Sequence, residues 1–398
     1  MRLCYVLLSP TWGMHQYTAD LANRQVAAGR DVHLVTTSLA PVDRYAPAVT
    51  VHTPVSTRDS GFSFDGLRRL PGTVRHVRAK VCALRPDVVH FCGPHLANPL
   101  LLRALRREGI PAVHTLHDLH PHAGSAYGRL LYAWNIWVWR EAGHIVVHGR
   151  RWEEELEGRR GDAEMGRRGD AETRGHGAEV TCTPLTHLFV SYEVERGLRQ
   201  RLPDIRYEPW ALFVGRMEKY KGLDFLIDAA RRMEGNGRKI VIAGPSSPRW
   251  RMPGPVPSNV EVRDRLIGDE EAVELFSRCG LVVLPYVEAS QSALIGAAYF
   301  FRKPVLVTRV GALPQYVVEW ETGWVVPPGD AVALADALQA GLGKPERLQQ
   351  MGDAGRAWYD AAREEEGRAL EEMYTRVAGT RGAGTRSRGD DETGRGGR

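Results

Sequence analysis

Residues 281–330 read LVVLPYVEASQSALIGAAYFFRKPVLVTRVGALPQYVVEWETGWVVPPGD, from Leu281 to Asp330. An apolar run, Leu281 to Leu284, ends at Pro285. A short polar loop, Glu288 to Ser292, follows. Small and apolar residues then run to Phe301, and Lys303-Pro304 separates them from a second apolar run that starts at Val305. This is strand, loop, helix, strand, the grammar of a parallel sheet with helices on its faces. In such sheets ligands sit outside the carboxyl ends of the strands, so the loop occupies the expected binding position. Ser290 or Ser292 is placed to cap the helix. Free backbone N–H groups at Ser292 and Ala293, with the positive end of the helix dipole, then suit an anion such as a diphosphate. Glu288 is an acceptor-only carboxylate suited to sugar hydroxyls.

The same block resembles the nucleotide-sugar signature of the retaining glycosyltransferases of family 4, the "group 1" enzymes with the GT-B fold. In that family a Glu is followed eight positions later by a second Glu, and the block closes on a "TG…VPPGD" ending. Here Glu288 and Glu321-Thr-Gly-Trp-Val-Val-Pro-Pro-Gly-Asp330 match, whereas Gly296 stands at the second Glu, and Ala312 and Gln315 replace a usual Gly and Glu. A branch of the family with an EASQS-type loop also lacks the second Glu. The departure removes the carboxylate the family offers to the donor's ribose, so Gly296→Glu is expected to alter nucleotide preference.

Upstream, Ala211-Leu-Phe-Val-Gly-Arg216 reads as a strand entering a loop, followed by Lys219-Tyr-Lys221-Gly222 and a helix over 223–233. Arg216 and Lys221 match the family's "GR…KG" element, which implies that they hold the donor diphosphate. Two cations there stabilise the charge that develops on a departing nucleoside diphosphate without a metal. Lys239 to Gly244 is a further strand. Val262 to Asp269 resembles the segment whose main chain meets the nucleobase near Leu266 and Ile267; an ordinary strand-to-helix turn is the alternative. Residues 331–342 and 345–377 read as helices. The family returns its final helix to the first domain, with Trp358 and Tyr374 as candidate anchors here.

The first half opens with a buried strand, Leu3 to Leu8, a loop Ser9-Pro-Thr-Trp-Gly13, and a helix over 14–28 stopped by Gly29. Gly13 matches the glycine of the family's donor or acceptor loop; a tight turn is the alternative. Residues 66–85 carry six Arg or Lys residues with Leu67, Leu70, Val74, Val77, Val81 and Leu84 at helical spacing, and Pro71-Gly72 is expected to delay the helix start. A solvated face over a buried one explains the pattern; anionic lipid is the alternative. Strands follow at 87–91, 112–116, 145–148 and 180–183. His117 and Asp118 match a "T-x-H-D" element whose His lines the site near the reacting sugar, where an imidazole can donate to a sugar hydroxyl or to the attacking oxygen; a His bonded to backbone is the alternative. His114, His117, His120 and His122 lack the spacing of a metal site, and none is expected. Trp134 and Trp137 with Leu130 and Leu131 fit one helix face, while Tyr132 and Trp139 point elsewhere; the stretch reads as core, and an exposed platform for sugar or lipid is the alternative. An octapeptide beginning Gly158-Arg-Arg-Gly-Asp repeats at Gly166 and reads as a mobile surface insert, 158–176, as does the tail from 378.

These readings divide the 398 residues into a Rossmann-like acceptor domain (1–190), a linker over 185–210, a Rossmann-like nucleotide-sugar domain (205–345), returning helices (346–377) and a disordered tail (378–398). The fold class is α/β, and the resemblance implies two such domains facing across a cleft. The net charge of +5 argues weakly for anionic ligands or a membrane surface, and nucleic acid is not an expected partner. The five cysteines are scattered without a CxxC pair, so disulfides and zinc are not expected and a cytoplasmic location, or the inner face of the membrane, is. No run approaches the ~20 apolar residues of a membrane span.

The resemblance implies transfer of a sugar from a nucleotide-diphospho-sugar to a glycan, lipid-linked or small-molecule acceptor, with retention, no cofactor and no metal. His117 and Glu288 are the expected catalytic pair. The alternative is a catalytically silent nucleotide-sugar-binding scaffold. A nucleotide-sugar epimerase would need clustered acid and base carboxylates, which the sequence does not offer.

Overall fold

A computed structural model describes residues 1–56, 64–119, 128–165, 178–248 and 250–381. His120, His122, Tyr127, the second copy of the repeat and the chain beyond Arg381 lie outside the described residues. The described chain forms two compact units, each with one parallel sheet.

Among the described residues, unit 1 comprises Met1–Leu119, Arg129–Thr183 and the chain from Gly367 to Arg381. Its strands are β1 (Arg2–Leu7), β2 (Asp31–Thr37), β3 (Thr50–Val55), β4 (Val88–Phe91), β5 (Ala112–Thr115), β6 (His144–Val147) and β7 (Glu179–Cys182). They pair in the order β3-β2-β1-β4-β5-β6-β7, all parallel. Helices α1 (Trp12–Ala27), α2 (Phe64–Leu84), α3 (Asn98–Arg107), α4 (Gly128–Glu141) and α5 (Arg150–Met165) connect them. Central strands covered on both faces need apolar residues throughout, and every residue from Leu3 to Leu8 is buried.

Unit 2 comprises Pro184–Glu366. It holds α6 (Tyr192–Gln200), α7 (Leu223–Arg232), α8 (Asp269–Arg278), α9 (Leu294–Phe300), α10 (Ala331–Leu342) and the start of α11 (Pro345–Gly379). Its strands are β8 (Trp210–Val214), β9 (Lys239–Ala243), β10 (Val260–Arg263), β11 (Leu281–Leu284), β12 (Val305–Thr308) and β13 (Gly323–Val326), in the parallel order β10-β9-β8-β11-β12-β13. In both sheets the winding reverses once, between β1 and β4 and between β8 and β11. These reversals open the crevices where parallel sheets take ligands. The closing Gly329-Asp330 is a helix start: Gly329 takes φ +75°, and the Asp330 carboxylate accepts from Val332 N (3.0 Å) and Ala333 N (2.9 Å) to cap α10.

Several elements differ from expectation. Helix α1 begins at Trp12, because the Thr11 carbonyl already accepts from Met14 N (3.1 Å), so Gly13 lies in the first helical turn and not in a loop. Helix α2 runs through Pro71: Leu70, Val74, Val77 and Val81 pack on the core of unit 1, and that burial outweighs the lost hydrogen bond. Leu67, expected on that face, is exposed. Strand β3 was not expected; it is an edge strand, where Pro54 and His52 are tolerated. The first copy of the repeat is the end of α5 and not a mobile loop, supported by the Glu155–Arg159 pair one turn apart (3.2 Å). The linker contains α6. In α4 the buried indoles are Trp134 and Trp139, while Leu130 and Trp137 are exposed. Helix α11 starts in unit 2 and ends in unit 1. Trp358 packs on Tyr299 (5.4 Å) and Tyr316 (5.6 Å) within unit 2, so of the two expected anchors only Tyr374 serves unit 1.

Candidate functional site

The reversal point of unit 2 is built from two glycine-shaped turns. Strand β8 runs into Gly215 (φ +126°), and β9 into Gly244 (φ +137°). A Cβ on Gly244 would lie 2.3 Å from the Gly215 carbonyl, so the two strand ends meet as bare backbone. Arg216 leaves this turn with its side chain 69% exposed, and its nearest carboxylate is Glu218 at 3.9 Å. Lys221 closes the short 3-10 turn Lys219–Lys221. Its ammonium lies over the rings of Phe213 (5.7 Å) and Tyr286 (5.6 Å), and burial lowers its pKa. Among the described residues it has no carboxylate ion pair. A cation held against aromatic faces, with Glu218 acting on it only from beyond ion-pair distance, suits a closer anion.

Glu288 is half-buried on a loop whose path is fixed through the backbone. Tyr220 O accepts from Val287 N (2.9 Å) and Glu288 N (3.3 Å), and Ser290 O accepts from Ala312 N (2.9 Å). Gly222 (φ +65°) and Gly311 (φ +51°) make this possible, since a Cβ on either would sit 1.9 Å from the carbonyl of Pro285 or Ala289. The structure corrects the expected serine cap. Helix α9 has Ala293 at its N-cap with no side-chain bond, because the Ser292 hydroxyl bonds the buried Tyr286 phenol, whose pKa burial raises to about 12. Ser290 is buried.

Gly296 also has a different meaning from the expected one. It is buried in α9 against the backbone of the segment after unit 1: a Cβ there would lie 2.6 Å from Leu185 O and 3.4 Å from Thr186 Cα. No room exists for a carboxylate. Gly296→Glu is therefore expected to destabilise unit 2 by about 2 kcal/mol or more, through overpacking and a buried charge, rather than to retune the nucleotide. Thermal melting checks this; an unchanged midpoint contradicts it.

Leu266 and Ile267 lie between β10 and α8, with Leu266 72% exposed. The loop is braced by Glu271, which accepts from Arg263 (2.8 Å) and from both terminal nitrogens of Arg265 (2.6 and 2.8 Å). Leu266 O accepts from Arg265 Nη1 (3.4 Å), and the loop follows the carboxyl end of β10 as Arg216 follows that of β8.

In unit 1, Gly13 lies in the first turn of α1 with open space around its Cα. His117 follows β5 and is buried. Its Nε2 donates to Cys92 O (3.0 Å), a carbonyl that can only accept. Burial lowers its pKa, which favours the neutral ring, and the bond to Cys92 O is the backbone bond that the alternative reading expected. Asp118 is half-buried, and its backbone O accepts from Asn135 Nδ2 (2.8 Å). His114 is a core residue whose Nε2 accepts from Asn98 Nδ2 (2.9 Å). Among the described residues no three His, Cys, Asp or Glu side chains converge as metal ligands. Sequence reading missed the ring cluster around His117: Tyr17 stands edge-on to it (4.8 Å, 88°), and His148 lies 5.3 Å away. The available signal was the run of histidines in or just after three adjacent strands, His90, His114 and His148.

Residues 208–343 match the family described as glycosyl transferases group 1, and residues 13–167 match the glycosyl transferase 4-like domain. Among curated proteins, the chain is similar to the D-inositol 3-phosphate glycosyltransferase of Corynebacterium diphtheriae, at 30% identity over 154 residues, 36% of each chain. The match thus spans about a third of that relative's length. Among solved structures, the sucrose-phosphate synthase of Thermosynechococcus elongatus aligns with a TM-score of 0.70 at 20% identity, covering 95% of this chain and 99% of that one. Anabaena Alr3699/HepE, solved in complex with UDP, aligns with a TM-score of 0.66 at 15% identity, covering 94% of this chain and 100% of that one. At these identities the structural likeness is one of fold.

Proposed function

We propose, for a chain that belongs to the group 1, family 4 glycosyltransferases of GT-B fold, that it transfers a sugar from a nucleotide-diphospho-sugar to a glycan, lipid-linked or small-molecule acceptor with retention of configuration. The observation that carries this reading is the Lys221 ammonium, unpaired with any described carboxylate and set beside exposed Arg216 at the reversal of the unit 2 sheet. When the bond from the anomeric carbon to the leaving phosphate breaks, charge grows on the diphosphate, and Lys221 and Arg216 stand where they oppose it. Backbone N–H groups at Ser292 and Ala293 add donors. Glu288 accepts from the donor's hydroxyls, and the main chain at Leu266 and Ile267 meets the base. The leaving phosphate takes the proton of the attacking hydroxyl on the same face, so no protein base is needed for that step. His117 and Asp118, with the Gly13 turn, belong to the acceptor side, where the His117 imidazole hydrogen-bonds a hydroxyl of the reacting sugars.

UDP-glucose is the first donor to try, because a structural neighbour was solved with UDP. Two cations make a metal unnecessary in this scheme. Hydrolysis of UDP-glucose in excess EDTA is expected to match the untreated rate within about twofold. Activity that vanishes in EDTA and returns with Mg²⁺ or Mn²⁺ overturns the metal-free reading. No helix among the described residues is long and apolar enough to cross a membrane, so a lipid-linked acceptor would be met by peripheral contact.

A further inference from the structure

We propose that a buried hydrogen-bond chain, Tyr374–His90–Thr115–Tyr17, fixes the imidazole of His117, with Thr115 and Tyr17 as its positioning residues. The inference rests on the acceptor-side role of His117 proposed above.

Thr115 is the last residue of β5, two positions before His117, and Leu116 N donates to Val146 O (2.9 Å) to close the strand end. The Thr115 hydroxyl is gripped from two sides, by His90 Nε2 (2.8 Å) and by Tyr17 OH (3.2 Å). His90 Nδ1 lies 2.6 Å from the Tyr374 hydroxyl, which in turn meets the Tyr5 hydroxyl at 3.1 Å. All five side chains are buried. Tyr5 and His90 are register partners on β1 and β4, and Tyr374 comes from the last turns of α11.

A hydroxyl has one proton and two lone pairs, and a neutral imidazole has one N–H and one lone pair. The chain can therefore be fully satisfied in only two ways, with all its protons pointing one way or the other. A fully paired network of this kind in a dry interior is stiff. Apolar side chains would have filled the same volume at less risk, so the polar path calls for a purpose beyond packing. It reaches Tyr17, whose ring stands edge-on to His117 (4.8 Å) and to His148 (5.2 Å). His117 is thus clamped between the Cys92 carbonyl on one side and the Tyr17 ring on the other, at the end of a strand that Thr115 anchors. Seating of Tyr374 is part of the same chain, which makes the docked end of α11 a condition for a well-placed His117.

Thr115→Val keeps the β-branched shape and removes the hydroxyl; Thr115→Ser keeps the hydroxyl. ¹⁵N-histidine NMR of the full chain reads the ring tautomer directly, with His117→Ala identifying the resonances. Wild type and Thr115→Ser are expected to show a single Nε2–H tautomer for His117. Thr115→Val is expected to show mixed or exchange-broadened signals, with kcat for UDP-glucose hydrolysis lowered about tenfold and KM unchanged. Unchanged His117 resonances in Thr115→Val overturn the proposal. Should Thr115→Val not fold, Tyr17→Phe, which removes only the hydroxyl, is expected to broaden the same resonances, and sharp wild-type signals there overturn it equally. Wild-type hydrolysis by His117→Ala would remove the role assigned to His117 while leaving the NMR result to decide the positioning.

Discussion

Lys221→Ala is expected to lower turnover of a nucleotide-sugar by about two orders of magnitude or more, with little change in melting temperature. The size follows from where the charge sits. The ammonium is held by ring faces at 5.7 and 5.6 Å in a half-buried place, where an electrostatic contact is stronger than in water. Burial lowers its pKa, and a bound diphosphate favours the charged form, so the cation is worth most when the leaving group is most negative. The small change in stability follows from the absence of a carboxylate partner among the described residues: alanine breaks no ion pair there. Lys221→Arg is not a mild substitute, because a Cβ at Gly215 would already lie 2.9 Å from the Lys221 Nζ and the larger guanidinium has no slot. Steady-state hydrolysis of UDP-glucose checks the prediction, and wild-type turnover in Lys221→Ala would remove Lys221 from the mechanism.

Unit 1 is expected to lose stability steeply on mild acidification. Burial drives the pKa of His15 to about 4, of His114 to about 3 and of His144 to about 4, and lowers those of His90 and His117. These pKa values lie below that of an unfolded histidine, ~6.5. Between the two values the unfolded chain binds protons that the folded chain refuses, so stability falls as pH falls. Above pH ~6.5 neither state is protonated and the effect is absent. Within the window each such histidine contributes a slope of about 1.4 kcal/mol per pH unit. Three of them alone set a slope of ~4 kcal/mol per pH unit, large against a net stability of ~5–15 kcal/mol. The carboxylates with lowered pKa, such as Asp31 and Asp87, are partly exposed and act only at lower pH. Urea midpoints measured from pH 7.5 to 4.5 should decline below pH 6.5, and His114→Gln, which keeps an acceptor for Asn98 but binds no proton, should flatten the decline. A midpoint constant over that range contradicts the account.

The sheet of unit 2 was legible because its signals are local. The apolar runs and the Lys303-Pro304 break each act within a few residues, and the expected helices over 331–342 and 345–377 match α10 and α11 within two residues. What escaped depends on distant neighbours. Gly296 looks like a lost carboxylate in sequence, but its meaning is set by Leu185 and Thr186, more than a hundred positions earlier. Ser292 has the composition of a cap, yet Tyr286 claims its hydroxyl. Thr115 and His90 sit inside apolar runs, where a sequence reading counts them as strand, and only the fold brings them to Tyr374 and Tyr17. Arg216 and Lys221 were singled out as a pair because they match the family's "GR…KG" element, and both follow β8 in the fold.

Calorimetric titration of UDP, in EDTA, into the wild-type protein, Arg216→Ala and Lys221→Ala tests the placement of the donor diphosphate most directly. The account predicts metal-free binding by the wild type, weakened at least tenfold in each variant, with folding unchanged. Binding of equal strength in all three proteins would contradict it.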